Sequence, residues 1–450
     1  MPDNTPTLNR LLAALAHQPL PARHLRQTLG EISPATLSRL TSQAGPQLAI
    51  MGQGRATCYG LHRDLRDNGW RFPVYRIDDG GDAHLVGEVW TLYGGYWWQQ
   101  LDRQVWGSGF HPQLPWFLQD MKPSGYIGEA FARFNGPRLG LPERLSDWKD
   151  DDHLVAMVRR GEDLYGDLLI GEESLQRYLL ASRRPGVTTA VGEYPAWAEA
   201  SLAGALSLAL AGGDQPKFCT TAKRAGVGRQ VLVKFSPPVD GPTGQRWSDL
   251  LICEHIALGI LRNAGIATAI SSIHQTGGRT FLELKRFDRI GQFGRTPLHS
   301  LTVADDLQQG SRKDWSSSAA LLERRKGLSA DDAARLVELD LFGRLIGNTE
   351  RDFSNISLIP VTGDRTKYRL APAYDMLPTR YKPRDGEPLN WEPYQPDEIP
   401  GWSEMHGPAE RFWAAISRDR RISEPFRKLC RANHDLLKRL EHGPRVIRPR

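Results

Sequence analysis

Five residues in the second half of this chain of 450 residues have the types needed to handle a nucleotide phosphate. Lys234 sits in Val231-Leu232-Val233-Lys234-Phe235. Strand alternation puts Val231, Val233 and Phe235 on one face and Leu232 with Lys234 on the other. A lysine in so apolar a strand needs an anionic partner, unless it is a solvated edge residue. Glu254 lies in a predicted helix from about Ser248 to Arg262, with Leu250, Leu251, Ala257 and Leu258 as its helical neighbours. A carboxylate inside an apolar stripe is costly unless paired, and Lys234 is the natural partner. A strand lysine held by a helix glutamate is the device with which kinases orient nucleotide phosphates. The alternatives are a salt bridge elsewhere or a helix turned so that Glu254 meets solvent.

The remaining three lie further on. In the run from Ile346 to Leu358, Glu350 and Asn355 are separated by four residues, the D-x-x-x-x-N spacing of a kinase catalytic loop. In such a loop the carboxylate orients the attacking hydroxyl and the Asn amide oxygen binds Mg²⁺. Each alone reads as an ordinary turn residue. A short strand through Lys367-Tyr368-Arg369-Leu370 delivers Asp375 into a turn. Asn355 and Asp375 together would make an oxygen-rich site for a hard cation. Upstream, Gly212-Gly213-Asp214-Gln215-Pro216-Lys217-Phe218 offers paired glycines that let backbone amides approach an anion. A helix C-cap would use the same glycines.

The elements that must carry these residues follow from the pattern. Residues 71–180 read as strand-rich. Val74–Ile77 runs to the turn Asp78-Asp79-Gly80-Gly81-Asp82, His84–Leu92 resumes, and Tyr96-Trp97-Trp98 follows Gly94-Gly95. Trp90, Trp97, Trp98, Trp106 and Trp116 are read as core aromatics in preference to a base-stacking platform. A helix is predicted from Ala196 to Leu210, ending at Gly212-Gly213, with strands and a helix to about 285. Beyond 315 the chain is mostly helical, apart from a stretch at 383–400 with five prolines. A β-rich lobe (71–290) before a helical lobe (291–450) leaves a cleft between them, a preferred place for a ligand.

Ahead of these lobes, residues 1–66 form a head with its own grammar. Leu8, Leu11, Leu12 and Leu15 recur at helical spacing, and Pro21 opens a short helix stopped by Gly30. Ser33 as N-cap with Pro34 behind it starts a third helix. Gln47–Met51 and Thr57–Leu61 flank the turn Gly52-Gln53-Gly54-Arg55. This is the order of a winged helix-turn-helix. Ser33, Thr36, Ser38, Arg39 and Gln43 are the candidates to reach DNA base edges, and Arg55 to meet a phosphate. The alternative is a small helical protein-interaction domain. Charge supports the DNA reading: the net +6 of the chain divides into +4 for residues 1–66, −5 for the middle and +7 for 418–450. The basic tail is either a solvated helix face or a second phosphate-contacting surface.

Composition narrows the class. With 40% hydrophobic and 24% charged residues the chain is an ordinary globular protein of two or three domains, neither disordered nor collagenous. Cys58, Cys219, Cys253 and Cys430 form no CxxC pair, which argues against a zinc site and for a reducing compartment. The most apolar stretch, Leu202 to Ala211, is too short to span a bilayer. A cytoplasmic location without membrane contact is expected.

Over about residues 74–440 the chain resembles the HipA family of bacterial serine/threonine kinase toxins, most closely its YjjJ-like branch. The likeness rests on Gly213 to Phe218, Val233-Lys234-Phe235, Glu254, Lys285-Arg286-Phe287-Asp288-Arg289, Gly347-Asn348-Thr349 through Asn355, and Tyr374-Asp375. It implies an α+β, two-lobed, protein-kinase-like fold that uses ATP and Mg²⁺, here behind an N-terminal winged helix-turn-helix. The cofactor-binding set would be Gly212, Gly213, Lys217, Lys234, Glu254, Lys285 and Phe287, with Leu284 to Phe287 lining an adenine pocket. Asn355 and Asp375 would bind the metal. Implied partners are a protein Ser/Thr substrate, DNA through residues 1–66 and an antitoxin. Three departures stand out. The family's Asp-Arg-His is Glu350-Arg351-Asp352 here, one methylene longer at the catalytic position, with Asp352 as the other candidate carboxylate. The family's autophosphorylated serine aligns with Leu210. The DNA-binding head is fused to the kinase-like body. There are two rival readings: a nucleotide-sensing DNA-binding regulator, and a toxin acting on DNA through a metal cluster of Glu350, Asp352 and Asp375.

Overall fold

The computed structural model describes residues 8–103, 106–182, 188–204, 215–224, 227–361, 364–396 and 401–440. The leucine spacing at the start produces α1 (Leu8–Leu15), which buries Leu11 and Leu15. After it come β1 (Leu20–Pro21), α2 (Ala22–Thr28), α3 (Pro34–Ala44), β2 (Leu48–Met51) and β3 (Cys58–Leu61). The Ser33 side chain accepts from the Thr36 amide and Pro34 opens α3, as the cap signal requires. The three strands form a sheet in the order β1-β3-β2. Strand β1 has no signature in the sequence because two residues carry no period; it exists only by pairing with Tyr59 and Cys58.

The head shares a core with the sheet of the second region. Ala49 and Met51 pack on Leu92 and Trp97, and His62 bridges Leu92 in antiparallel fashion. The Arg63 amide donates to the Thr91 carbonyl and the Tyr93 amide to the Leu61 carbonyl, both at 3.0 Å.

The second region contains β4 (Arg71–Ile77), β5 (Ala83–Leu92), β6 (Gly95–Gln100) and β7 (Gly109–His111). Then come α4 (Gly125–Asn135), α5 (Asp150–Arg160), β8 (Leu168–Ile170) and α6 (Glu172–Ser182). The five strands make one antiparallel sheet, β7-β6-β5-β4-β8. The expectation of a strand-rich stretch to residue 180 is therefore corrected: beyond His111 it is mainly helical. The run Asp150-Asp151-Asp152 forms the first turn of α5, where acids complement the helix dipole. Trp97 and Trp98 are buried in or beside this sheet and Trp90, Trp106 and Trp116 half-buried, in keeping with core packing.

The third region opens with α7 (Tyr194–Leu202), β9 (Lys217–Arg224), β10 (Val227–Phe235), α8 (Pro242–Asn263), β11 (Ser271–Thr276) and β12 (Arg279–Lys285). Helix α7 ends well before Leu210, contrary to the sequence reading. Gly204 at φ +64° takes the backbone into the left-handed region, where a helix cannot continue. The glycine pair Gly212-Gly213 and Leu210 lie outside the described residues. The four strands form the antiparallel sheet β11-β12-β10-β9. Val231, Val233 and Phe235 pack beneath Tyr194, Phe218 and Phe281, which turns Lys234 to the opposite face. A short pair, β13 (Arg289–Ile290) and β14 (Gly294–Arg295), precedes β15 (His299–Ser300), α9 (Leu301–Leu307), α10 (Trp315–Arg324) and α11 (Ala330–Leu345). A hairpin, β16 (Ser357–Val361) and β17 (Asp364–Leu370), completes a small sheet with β15. Helices α12 (Trp402–Arg418) and α13 (Glu424–Leu440) come last. They join α8 and α11 in one large core that includes Leu251, Phe342, Phe412 and Trp413. Part of the basic tail is engaged within α13 itself, where Arg427 and Arg431 pair with Glu424. Among the described residues, no helix is long and apolar enough to cross a membrane.

Candidate active site

Strand β10 and helix α8 bring Lys234 and Glu254 together. Lys234 Nζ donates to Glu254 Oε1 and Oε2, each at 2.8 Å, and the two side chains are 2% and 0% exposed. The same ammonium touches Asp375 Oδ1. A carboxylate on each side is what a cation removed from water requires. Asp375 is held from its backbone as well: its amide donates to Glu254 Oε1 at 3.1 Å, and its carbonyl accepts from Asn348 Nδ2 at 3.2 Å. These bonds hold a non-glycine residue at φ +55°, a conformation that persists only where the surroundings over-determine it. Burial works to raise the Asp375 carboxyl, but Lys234 and then Lys217 hold it below its ordinary value. Burial works against the Lys234 ammonium, yet Asp375 and Glu254 raise it. Each group thus favours the charged form of the other.

The turn after α11 is organised by Asn348, a buried residue that the sequence marks only as part of a motif. Its Oδ1 accepts from the Glu350 amide at 3.1 Å and from Thr379 Oγ1 at 3.0 Å. Thr379 Oγ1 in turn accepts from the Thr349 amide at 2.7 Å. Asn355 Nδ2 donates to the Glu350 carbonyl at 3.0 Å, which leaves Oδ1 as the amide's acceptor. The Glu350 carboxylate is engaged by Lys382 Nζ at 3.1 and 3.2 Å. Asp352 is exposed on the same wall. Glu350, Asp352, Asn355, Asp375 and Lys382 line one cavity of about 370 Å³. The metal cluster of Glu350, Asp352 and Asp375 is not formed: among the described residues no three His, Cys, Asp or Glu side chains converge on a metal position. The physical reason is that Glu350 faces Lys382 and Asp375 faces Lys234. Thr379 and Lys382 have no periodic signal in the sequence; they arrive from a separate turn.

This cavity shares Lys217, Asn355 and Asp375 with a larger cleft of about 920 Å³. Lys217 of β9 lies directly across from Lys234. Burial, chiefly, lowers the Lys217 ammonium to about 8, with Asp375 opposing and Lys234 assisting. Leu232, Leu284 and Phe287 line the same cleft, and the Phe287 ring lies 5.7 Å from that of Tyr374. Lys285 also lines it, with an exposed side chain. The rest of the motif is structural: Arg286 binds Asp288 and Asp163, and Arg289 binds the same two carboxylates. The cleft is walled as well by His111, Lys122 and His153 of the second region, which sequence reasoning did not assign to any site. Sequence-predicted residues Lys217, Lys234, Lys285, Phe287, Asn355 and Asp375 therefore meet in one cleft. Glu254 supports it from below, and Glu350 and Asp352 sit in the adjoining cavity. Gly212 and Gly213 are outside the described residues. Ser33, Ser38, Arg39, Gln43 and Arg55 are exposed on the head, and Thr36 is half-buried.

Comparison with known proteins gives the same chain a lineage. Residues 68–179 match the family described as the YjjJ-like toxin middle domain, and residues 201–432 the HipA-like C-terminal domain. Toxin YjjJ of Escherichia coli (strain K12) is 32% identical over 446 residues, covering 96% of this chain and 98% of that protein. The chain belongs to the YjjJ-like branch of the HipA toxin family. Among solved structures, a chain of the Shewanella oneidensis MR-1 HipA, HipB and operator DNA complex aligns with a TM-score of 0.44 and 14% identity, covering 82% of this chain and 97% of that one. The Helicobacter pylori proinflammatory kinase CtkA aligns with a TM-score of 0.34 and 13% identity, covering 51% and 89%.

Proposed function

We propose that this member of the YjjJ-like branch transfers the γ-phosphoryl group of Mg-ATP to a Ser or Thr hydroxyl of a protein, and that residues 1–66 bind DNA as a winged helix. The observation that carries the catalytic reading is the buried Lys234–Glu254 pair, aimed at Asp375 on the floor of a cleft whose wall holds Asn355, with Glu350 in the adjoining cavity. Lys234 and Lys217 would hold phosphate oxygens. Leu232, Leu284 and Phe287 would take the base, alongside Lys285. The Asp375 carboxylate and the Asn355 amide oxygen are hard donors that suit Mg²⁺; the cation would neutralise phosphate charge. In the transfer, the acceptor oxygen bonds to the γ-phosphorus as the bond to the β–γ bridging oxygen breaks. The hydroxyl proton goes to a carboxylate and ADP leaves. Glu350, oriented by Lys382, is the first candidate for that carboxylate, and exposed Asp352 the second.

Incubation with labelled γ-phosphate ATP and cell extract tests this reading. Label on protein Ser or Thr with the wild type, and none with Asp375→Ala, is the expected result; transfer that survives the substitution defeats it. For the head, the exposed face of Ser33, Ser38, Arg39 and Gln43, with Arg55 at the hairpin tip, supports groove binding. Binding of the full chain to DNA that weakens with salt and with Arg39→Ala and Arg55→Ala is expected. An antitoxin partner would be sought by co-purification. A second reading, a nucleotide-sensing DNA-binding regulator, is favoured by one observation. Arg63 of the head binds Asp151 of α5, and His153 of the same helix lines the cleft. ATP binding without transfer, with DNA affinity altered by ATP, would replace the kinase reading.

A further inference from the structure

The segment of the second region between α5 and β8 is gripped by the third region, through the motif at residues 285–289. Asp163 binds both Arg286 and Arg289. Arg289 also donates to the Leu164 carbonyl at 2.7 Å and to the Gly166 carbonyl at 3.1 Å. Those two carbonyls flank Tyr165, so its backbone is held on both sides. The Tyr165 side chain lines the cleft.

From Tyr165 a row of three hydroxyls crosses into the third region. The Tyr165 hydroxyl donates to Ser357 Oγ at 2.5 Å. Ser357 Oγ lies 2.8 Å from the Tyr374 hydroxyl, which donates to the Ser354 carbonyl at 3.1 Å. A carbonyl can only accept, so the order of donors is fixed. Tyr374 gives its proton to Ser354, Ser357 donates to Tyr374, and Tyr165 donates to Ser357. Ser357, in the middle, is 1% exposed, so protein hydroxyls complete the row in place of bulk water. Ser354 and Tyr374 immediately precede Asn355 and Asp375, the two candidate metal donors. The row therefore ties the turn that carries one donor to the turn that carries the other. Magnesium tolerates little departure from its preferred geometry, so the separation of its ligands matters.

We propose that Tyr165 is a positioning residue: through Ser357 and Tyr374 it sets the separation of Asn355 and Asp375, and with it the affinity for a magnesium nucleotide. The metal pair lies in the HipA-like C-terminal domain, yet it is completed by a side chain from the YjjJ-like middle domain. The inference rests on the Mg-ATP site proposed above and not on transfer to a protein.

The test compares binding of a fluorescent ATP analogue to the full chain in excess Mg²⁺ and in EDTA. Mg²⁺ should strengthen binding to the wild type. Tyr165→Phe keeps the ring and removes the hydroxyl. It should weaken binding in Mg²⁺ by about tenfold or more, the usual effect of removing a group that orients a metal ligand, and leave binding in EDTA unchanged. Tyr374→Phe should do the same. The two together should weaken binding little more than either alone, because both cut one row. Unchanged binding of Tyr165→Phe in Mg²⁺ overturns the proposal. So do equal losses in Mg²⁺ and EDTA, additive losses in the double variant, or a wild type that Mg²⁺ does not help. Label transfer separates this inference from the kinase reading. Mg²⁺-dependent binding that responds to Tyr165→Phe, with no label on protein, supports the role of Tyr165 and defeats the kinase. Transfer with binding indifferent to Tyr165→Phe defeats only the role of Tyr165.

Discussion

The floor of the cleft and the adjoining cavity are built on opposite principles. On one side Lys234, Glu254 and Asp375 are buried and satisfy one another, with Asp375 also pinned by its backbone. On the other side Glu350 and Lys382 form an ion pair that water reaches, with side chains 42% and 21% exposed, and Asp352 is open to solvent. The first is a fixed electrostatic frame, costly to alter because each member leaves an uncompensated charge behind. The second can reorganise around an incoming hydroxyl at small cost. A rigid phosphate-holding side and an adjustable acceptor side would suit a transfer reaction whose catalysis is mostly positioning.

The contrast can be broken most forcefully at Glu254. Glu254→Ala should destabilise the protein by about 3–5 kcal/mol, because Lys234 would keep only one of its two carboxylates. Urea unfolding would read this out. A loss under about 1 kcal/mol would mean the frame is not rigid. Asp375→Ala comes next. It should lower phosphoryl transfer by about a hundredfold or more, while Lys234 stays paired with Glu254 and the protein stays folded by circular dichroism.

Lys217 sharpens the comparison through pH. Its folded value of about 8 lies below the ordinary 10.5. A bound triphosphate favours the protonated lysine, so nucleotide affinity should be flat below about pH 8 and fall above it, by up to about tenfold per pH unit. Without ligand the sign is opposite for stability. Between about 8 and 10 the unfolded chain binds the extra proton, so Lys217 makes stability rise with pH. Fluorescent-nucleotide titrations from pH 6 to 10 would show the first effect, and Lys217→Met should flatten it. The smallest structural effect is expected at Lys382. Lys382→Met should change stability by less than about 1 kcal/mol, yet reduce the transfer rate by about tenfold as Glu350 loses its orientation. Equal losses in stability and rate would make Lys382 part of the frame.

How much of this can be read in the sequence obeys the same division. Lys234 and Glu254 are legible because a charge inside an apolar period violates the pattern and demands a partner. The cap at Ser33 and the turn at residues 78–82 are legible because their chemistry is local. Helix α5 escapes a strand-rich reading of residues 71–180 because its acidic first turn resembles a solvated surface segment. The end of α7 is set too late because alanines and leucines continue past Gly204. Lys382, Thr379 and the wall of His111, Lys122 and His153 are not legible at all, since they are brought to the site from separate turns, a strand end and a helix, and carry no shared period.

The sequence by itself singled out Lys234 and Glu254 as candidate partners, because each charge interrupts the apolar pattern of its element, and burial of both in the folded chain removed the solvated alternatives. Only the tertiary structure decided the rest of the constellation. It turned Asp375 to Lys234, gave Glu350 to Lys382 in place of a metal, and fused the head to the body through β5. These outcomes depend on backbone placement across separations from 29 to 141 residues, and no local preference encodes a contact of that kind.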